Sequence, residues 1–186
     1  MGTIKTTNIE PIADNGTVTL GSSGDTFTLG SGVVQSNLMY PAFEAYLSSD
    51  QAVSDGVDTK VQINTEIFDT DGCYDNTTNY RFTPTVAGKY YVYAKVKVYG
   101  SANSDIGYTA AHIYKNGSSI SKTENNFATS YPRNISTPVF TVVDLNGSTD
   151  YVEFFGQVDG VSAGGEKFQA NGGVPVTIFG AYRIGS

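Results

Sequence analysis

The segment Gly88–Tyr99 constrains the fold more than any other part of the sequence, because two kinds of side chain alternate along it. One set is apolar and comprises Val92, Ala94, Val96 and Val98. The other set is aromatic or cationic and includes Tyr91, Tyr93, Lys95 and Lys97. Successive side chains of a β-strand point to opposite faces of a sheet, so this period of two predicts a strand with one buried side.

Similar patterns recur along the rest of the chain. In the segment 151–158 the predicted buried set is Val152, Phe154 and Val158, and in 174–184 it is Val176, Ile178, Tyr182 and Ile184. Further strands are predicted over 38–47, 61–68, 107–115 and 135–143. Asn116-Gly117 and Asn146-Gly147 are the strongest hairpin-turn signals. With 18 Val and 11 Ile against 5 Leu and 2 Met, the composition favours strands over helices. The prediction is an all-β antiparallel sandwich or barrel.

Charge and cysteine content exclude several functional classes. The net charge is −7 and the Lys residues are scattered, which argues against a nucleic-acid partner. No apolar run is long enough to span a membrane, and the N-terminus lacks the apolar core of a secretory signal. The single cysteine, Cys73, excludes an intramolecular disulfide and a cysteine-based zinc site. We expect Cys73 to be a small buried residue, the alternative being a reactive loop thiol.

Residues 1–37 differ in texture from residues 38–186, and we predict a boundary between the two segments. The first segment contains a near-repeat, Thr17-Val-Thr-Leu-Gly-Ser-Ser followed by Thr26-Phe-Thr-Leu-Gly-Ser-Gly. Each copy alternates apolar and hydroxyl residues and ends in a glycine turn, as a short strand does. Two such strands cannot bury a core alone. The segment is predicted to be a β arm that docks on other proteins, the alternative being a flexible leader.

The motifs of residues 38–186 resemble, in order, those of the C1q and tumour-necrosis-factor-like globular domain. Pro41-Ala-Phe-Glu-Ala-Tyr-Leu resembles the opening strand. Tyr74-Asp75, Tyr80-Arg-Phe-Thr-Pro84 and Ala87-Gly-Lys-Tyr-Tyr-Val92 resemble the Tyr-Asp, Phe-x-x-Pro and Gly-x-Tyr-Tyr series. Ile113-Tyr-Lys-Asn-Gly117 and Thr177-Ile-Phe-Gly-Ala-Tyr-Arg-Ile184 resemble the later motifs, with Ile178 and Ala181 in place of two Phe. The Gly-X-Y stalk of the animal proteins is absent, and the segment 15–32 resembles the leader of marine bacteriophage virion proteins.

This resemblance implies a jelly-roll sandwich that assembles as a homotrimer. The residues give an independent reason to expect assembly, since 13 Tyr and 10 Phe are more aromatic rings than one small core can hold. The trimer-interface candidates, assigned to the outward side of their strands, are Tyr91, Tyr93, Tyr99, Phe155 and Phe179. The alternative is that some of these rings cover a second sheet within the same protomer.

Candidate chemistry in the sequence is sparse. His112, the only histidine, lies in a predicted strand without a nucleophile motif, so we interpret it as structural. Asp69-Thr-Asp-Gly-Cys-Tyr-Asp75 is a fragment of a calcium-loop pattern, and the resemblance allows Ca²⁺ near a trimer axis, but a solvated acidic turn is the preferred interpretation. Isolated glutamates give little support to a glycosidase. We therefore expect no enzymatic activity and no required cofactor.

The sequence thus predicts a non-enzymatic homotrimeric phage virion protein, made in the host cytoplasm and located in the virion. Its knob would be a tail fibre or appendage that contacts a host surface glycan, and residues 1–37 would bind other virion proteins. The alternatives are a capsid decoration trimer that binds only virion proteins, and an extracellular C1q/TNF-like lectin or ligand. The ligand-binding candidates are Tyr74, Phe127 and Tyr131 for stacking on a sugar, and Asn79, Asn126 and Asp159 for hydrogen bonds.

Overall fold

The computed structural model describes residues 39–162, 164–171 and 173–185, together with residues 19, 21–26 and 31 near the N-terminus. The chain divides into two units, Met1–Ser36 and Asn37–Ser186. In the first unit a turn is described, in which the Asp25 carboxylate accepts a hydrogen bond from the Ser22 amide at 2.6 Å. Most of the predicted N-terminal arm, including the near-repeat as a whole, lies outside the described residues. Its role stays a prediction.

Strands form nearly all the regular structure of the second unit. Their bounds are β1 Ala42–Tyr46, β2 Gln51–Ala52, β3 Thr59–Lys60, β4 Thr65–Asp69, β5 Tyr74–Asp75, β6 Arg81–Phe82, β7 Gly88–Tyr99, β8 Ile106–Lys115, β9 Ser118–Asn126, β10 Asn134–Leu145, β11 Val152–Gly160, β12 Lys167–Phe168 and β13 Ile178–Gly185. None of the described residues belongs to a helix that could cross a membrane.

The strands form two antiparallel sheets that pack as a sandwich. The first sheet has the order β2-β12-β7-β13-β1-β4, and its seventh strand, β10, also pairs with β7. The second has the order β5-β6-β11-β8-β9, with β3 also paired to β11. We call these sheet A and sheet B. The predicted all-β antiparallel sandwich is confirmed.

The alternation of β7 is confirmed residue by residue. Val92, Val96 and Val98 are fully buried between the sheets, and Ala94 is nearly so. Tyr91 and Tyr93 lie on the opposite face of the strand and are half-buried. In β11 the predicted set is likewise buried, with Val152, Phe154 and Val158 at 0% exposure.

Aromatic rings from both sheets stack across the middle of the core. Phe43 of β1 stacks on Tyr74 of β5, with ring centroids 4.4 Å apart, and on Phe82 of β6, at 4.7 Å. Phe179 of β13 packs against Phe43 at 5.1 Å and against Phe154 at 5.8 Å. Ring pairs of this kind stabilise a core beyond the area they bury. The contacts join β1 and β13 of sheet A to β5, β6 and β11 of sheet B.

The two predicted hairpin turns have different outcomes. Asn116 and Gly117 connect the paired strands β8 and β9, and both have positive φ, as a tight hairpin turn requires. Asn146-Gly147 does not close a hairpin, because β10 pairs with β7 in sheet A whereas β11 pairs with β8 in sheet B. The second turn therefore carries the chain from one sheet to the other. The Asn146 side-chain oxygen holds it by accepting hydrogen bonds from the three amides that follow Gly147.

Candidate functional site

The outer face of sheet A carries a cluster of aromatic rings, formed by Tyr91, Tyr93, Phe140 and Tyr182. We call this cluster, with Val142, the aromatic face. The ring centroid of Tyr91 lies 6.0 Å from that of Tyr93, 6.4 Å from that of Phe140 and 5.5 Å from that of Tyr182. The cluster thus spans three adjacent strands, β10, β7 and β13.

Strand register brings the members of the aromatic face together. Phe140 is directly opposite Tyr93, and Val142 is directly opposite Tyr91. On the other side of β7, Tyr182 is opposite Tyr91. The side chains of Phe140 and Val142 are 62% and 53% exposed. Cross-strand apolar pairs that leave this much surface open to water are typical of a contact surface.

A polar contact and a glycine fix the position of the Tyr93 ring within the face. The Tyr93 hydroxyl donates a short hydrogen bond to the Glu44 carboxylate of β1. Gly180 lies beneath the ring, where a Cβ atom would overlap the ring carbon that bears the hydroxyl group. Burial, and then the bond to Glu44, raise the pKa of Tyr93 well above its usual value. The phenol therefore stays protonated at neutral pH and can donate to Glu44.

Only part of the predicted interface set lies on the aromatic face. Tyr91 and Tyr93 belong to it, and Tyr99 lies at the far end of β7, between the cations of Arg133 and Lys167. Phe155 lies on the outer face of sheet B, stacked on Tyr114 with centroids 4.2 Å apart. Whether these four rings meet another protomer stays a prediction.

The placement of Phe179 on the outward side of its strand is wrong. Its side chain is fully buried in the core, and Ala181 is buried beside it. The predicted inward residues of this strand point the other way, since Ile178 and Tyr182 are half-buried and Ile184 is 49% exposed. The cause is the pairing with β7, which sets Phe179 against Ala94 and Ala181 against Val92.

The loop end of sheet B brings together two of the predicted ligand-binding residues. Asn126 of β9 and Asp159 of β11 are both directly opposite Tyr108 of β8, one on each side. Asn126 and Asp159 are exposed and Tyr108 is half-buried. The Tyr108 hydroxyl donates to Glu124 at 2.7 Å, which fixes the ring. We call Tyr108, Asn126 and Asp159 the tyrosine row; an aromatic ring flanked by an amide and a carboxylate has the groups that bind a sugar.

The other predicted ligand-binding residues are dispersed. Tyr74 is not an exposed loop ring, which corrects the prediction: it is 5% exposed, and its hydroxyl donates to the Ile63 carbonyl inside the core. Asn79 lies in the turn after β5, and its side chain donates to Asp75. Phe127 packs partly against the core. Tyr131 is half-buried, and its hydroxyl donates to the Ala128 carbonyl.

His112 lies on the outer face of sheet B and is 5% exposed. Its Nδ1 is 3.2 Å from the Ser119 hydroxyl, and its Nε2 is 3.5 Å from an Asp58 carboxylate oxygen. Burial lowers the pKa of His112, and the Asp58 charge opposes this only in part. Serine, histidine and aspartate are adjacent here, but the Asp58 contact is longer than a catalytic hydrogen bond. The arrangement fits the structural interpretation of His112.

The acidic turn after β4 is held by its own hydrogen bonds. The Asp69 carboxylate accepts from the amides of Asp71 and Tyr74. The Asp71 carboxylate accepts from the hydroxyls of Tyr40 and Thr85 and from the Cys73 thiol. The amides of Thr78 and Thr77 hold the pKa of the third carboxyl, that of Asp75, well below its usual value. All three carboxylates are thus occupied by donors of the protein.

Cys73 has the environment of an inert thiol. It is 8% exposed, and burial together with the hydrogen bond to Asp71 raises its pKa to about 11. The thiolate is the reactive form of cysteine. The prediction of a small buried residue beside Tyr74 is confirmed.

Sequence reasoning missed Phe140, Tyr182 and Tyr108. Phe140 and Val142 share a parity within the predicted strand 135–143, and that was the available signal. This pattern does not show which residues lie beside Phe140, because the pairing of β10 with β7 joins segments that are far apart in the sequence. Tyr182 was assigned to the wrong side of β13, together with Phe179. Nothing near Tyr108 in the sequence indicates the two strands that flank it.

Comparison with known proteins identifies the fold. No family model matches the sequence, and no curated protein is similar to it in sequence. The globular domain of zebrafish complement 1qA protein superimposes with a TM-score of 0.53 at 15% identity, covering 77% of this chain and 97% of that chain. A murine APRIL crystal structure gives a TM-score of 0.55 at 10% identity, covering 76% and 97%. Eiger TNF from S. frugiperda gives 0.51 at 9% identity, covering 78% and 92%. The C1q/TNF-like jelly-roll fold is therefore confirmed.

Proposed function

We propose that this protein is a non-enzymatic homotrimeric binding module, in which the aromatic face is buried between protomers. The single observation that carries the proposal is the exposure of Phe140 and Val142, which continue the ring cluster onto β10 on the outer face of sheet A. Large contiguous apolar patches on soluble proteins usually mark contact sites. Tyrosine and phenylalanine are also the residues enriched at protein interfaces.

The surroundings of the aromatic face support the same proposal. The ion pair Lys89–Asp144 lies two residue pairs further along the two strands than Val142 and Tyr91, which places it next to them on the same face, and its charges are largely exposed. An apolar centre with a charged rim is the usual anatomy of a protein interface. The C1q/TNF-like fold adds the expectation of three-fold symmetry.

Sedimentation of the full chain tests this assembly. The wild-type protein should sediment at three times its chain mass of 19.8 kDa. Phe140→Glu should sediment as a monomer, because the substitution would bury a charge in the interface formed by the aromatic face. Ile120→Glu is the matched control: Ile120 is a similarly exposed apolar residue on β9 of sheet B, and its substitution should leave the trimer intact. A wild-type monomer at micromolar concentration would refute the proposal.

The tyrosine row is the proposed ligand site of each protomer, and the ligand class is a surface glycan. The Tyr108 ring, over which the Lys122 ammonium lies 5.5 Å from the centroid, offers an aromatic platform, and Asn126 and Asp159 offer hydrogen-bonding groups to sugar hydroxyls. Three such sites on one rigid trimer would raise the avidity for a repeating glycan well above the affinity of one site.

A glycan array followed by a titration tests the site. Tyr108→Ala should abolish binding of any glycan that the wild-type protein captures, since it removes the platform. Tyr114→Ala is the control, because Tyr114 lies on the same outer face but is stacked on Phe155 away from the row. Equal loss of binding in both variants, or binding that survives Tyr108→Ala, would exclude the tyrosine row.

The biological setting we propose is a phage virion, with residues 1–37 docking the trimer to a tail, baseplate or capsid. The proposal rests on the glycine- and threonine-rich repeat of that segment and its resemblance to phage leaders. A density map of intact particles should show the knob attached through residues 1–37. A trimer that binds no glycan or cell would favour capsid decoration. A protein found outside cells, on an animal-type receptor and on no particle, would favour the extracellular ligand.

A further inference from the structure

Two loops meet at the end of the sandwich, around the buried side chain of Asp105. One loop follows β7 and the other follows β11. The Val161 amide donates to the Asp105 carbonyl at 2.7 Å, and the Ser162 amide donates to the Asp105 carboxylate at 2.9 Å. Gly165 approaches the first loop so closely that an added Cβ would lie 3.0 Å from the Cβ of Ser101. The two loops therefore form one packed structure.

Asp105 carries a buried negative charge. Its side chain has 0% exposure. Burial raises the pKa of Asp105, but hydrogen bonds from the Ser101 hydroxyl and from the amides of Ser162 and Ala102 outweigh burial and lower the pKa below its ordinary value. These donors are neutral, so they stabilise the carboxylate without cancelling its charge.

Glu166 lies against the same loops and has no partner. It is 1% exposed, and neither of its carboxylate oxygens has a hydrogen-bond donor among the described residues. In that part of the chain no Lys or Arg forms an ion pair with Glu166 or Asp105, and Lys167 pairs with Asp50 at 2.6 Å. A buried carboxyl group without a partner is costly and rare in native proteins. A bound ligand would supply the partner that the Glu166 carboxyl group lacks.

Oxygen atoms of both loops converge at Gly160. An added Cβ on Gly160 would lie 2.6 Å from Glu166 Oε1, 3.0 Å from the Ser162 carbonyl oxygen and 3.4 Å from Asp105 Oδ2. Gly160 thus leaves open the space that the three oxygens surround. Asp105 Oδ2 already accepts from Ser101 and Ala102, but both Glu166 oxygens lack a donor. A carbonyl and two carboxylates offer acceptors only, so a cation is the ligand that would partner Glu166 and that the other two groups could also coordinate.

We infer that Glu166, Asp105 and the Ser162 carbonyl bind a calcium ion within each protomer. Ca²⁺ takes six to eight oxygen ligands from carboxylates, carbonyls and water in flexible geometry, which suits this mixed set. Zinc and copper favour nitrogen or sulfur ligands, which the three groups lack. No three His, Cys, Asp or Glu side chains within the described ranges come together as a metal site; the inferred site uses two carboxylates, and a main-chain oxygen is its third ligand.

The inferred site is separate from the acidic turn over Asp69–Asp75. The carboxylates of that turn, like that of Asp105, are occupied by donors of the protein, whereas the Glu166 carboxylate has none, and it is Glu166 that sets the inferred site apart. It also differs from the tyrosine row, although Asp159 directly precedes Gly160. Calcium binding would order the loop that follows Asp159, but Asp159 itself would not be a ligand.

Calorimetric titration of CaCl₂ into the full-length, chelator-treated protein tests the inference. The wild-type chain should bind one Ca²⁺ per protomer, and saturating Ca²⁺ should raise the thermal midpoint by about 5 °C. Glu166→Gln should lose both effects, because it removes a charge but no hydrogen bond. Gly160→Ala keeps both carboxylates but fills the space between them, and it should also lose both effects.

Two controls separate the site from other acidic groups. Glu66→Gln changes an exposed glutamate of β4, and Gly107→Ala adds a Cβ whose nearest contacts, at 3.4 and 3.5 Å, are ordinary. Both variants should bind Ca²⁺ as the wild type does. Absence of Ca²⁺ binding by the wild type, or undiminished binding by Glu166→Gln and Gly160→Ala, would overturn the inference. Trimer mass and glycan binding are measured separately from Ca²⁺ binding. The calcium site can therefore fail its test while the proposed function holds, and the reverse is also true.

Discussion

At the scale of single residues, the buried polar side chains in the described part of the chain have hydrogen-bond partners with few exceptions. Tyr74 reaches a core carbonyl, and Asp105 is surrounded by donors. Besides Glu166, the groups without a hydrogen-bond partner in the described residues are His112 Nε2 and the Gln169 side-chain oxygen. An unmatched group that also titrates gives the fold a measurable pH dependence, and His112 is such a group.

Stability should fall on the acid side of neutrality because of His112. Its pKa in the folded protein lies below the ordinary value of 6.5. Well above pH 6.5 the ring is neutral in both the folded and the unfolded state. As the pH drops below 6.5 the unfolded chain takes up the proton first, so stability decreases until the folded pKa is passed. Urea midpoints measured at about pH 7.5 and 5.5 should therefore differ more for the wild type than for His112→Gln.

The charged neighbours of His112 supply a control for that measurement. Asp58 raises the pKa of the ring, Lys122 lowers it and Glu124 raises it. Asp58→Asn should lower the pKa of His112 further and so enlarge the loss of stability at acid pH. If all three proteins shared one pH profile, His112 would not be the titrating group.

At the scale of strands, the sequence predicts which side chains face the core only where one face of the strand is apolar and the other is polar. In β7 valine alternates with tyrosine and lysine, so only one of the two faces can be the buried one. In β13 both faces are apolar, with Ile178 and Tyr182 outward and Phe179 inward. Hydrophobic periodicity cannot choose between such faces. The choice is made by pairing with β7, which lies far away in the sequence.

The same reasoning explains how much of the candidate site could be predicted. Tyr91 and Tyr93 were identified because their own strand fixes their direction. Phe140 is brought to them only by strand pairing. The Asn-Gly motif at 146–147 is a local signal that gives a turn but not the sheet in which the next strand lies. The fold class was readable from local patterns, whereas the site depends on long-range register.

Gly180→Ala should disturb the aromatic face while sparing the core. The new Cβ would overlap the Tyr93 ring, and the ring would have to leave Glu44. Forcing an extra methyl group into such a contact costs about 1–3 kcal/mol of unfolding free energy, which a urea titration would measure. Adding Tyr93→Ala removes the ring, so the double variant should lose less than the two single changes combined. Strict additivity would mean that the two residues do not interact.

At the scale of the whole molecule, the proposed burial of the aromatic face between protomers would make stability a property of the assembly. If three protomers bury it, folding and association are linked, and dilution favours unfolding. The thermal midpoint of the wild type should rise with protein concentration. That of Phe140→Glu should be lower and independent of concentration. A wild-type midpoint that stays constant over a hundredfold range, roughly, would argue that the face is solvent-exposed in the working protein.

The position of β13 has a consequence for synthesis of the protein. This strand follows all the other strands of sheet A in the sequence, yet it lies inside the sheet, between β1 and β7, rather than at its edge. As the nascent chain leaves the ribosome, β1 and β7 emerge early and must wait for the strand that joins them. Unpaired strands that wait in this way are prone to aggregate. Newly made chains should therefore depend on chaperones until β13 has emerged, and a stop codon shortly before Ile178 should leave sheet A split in two.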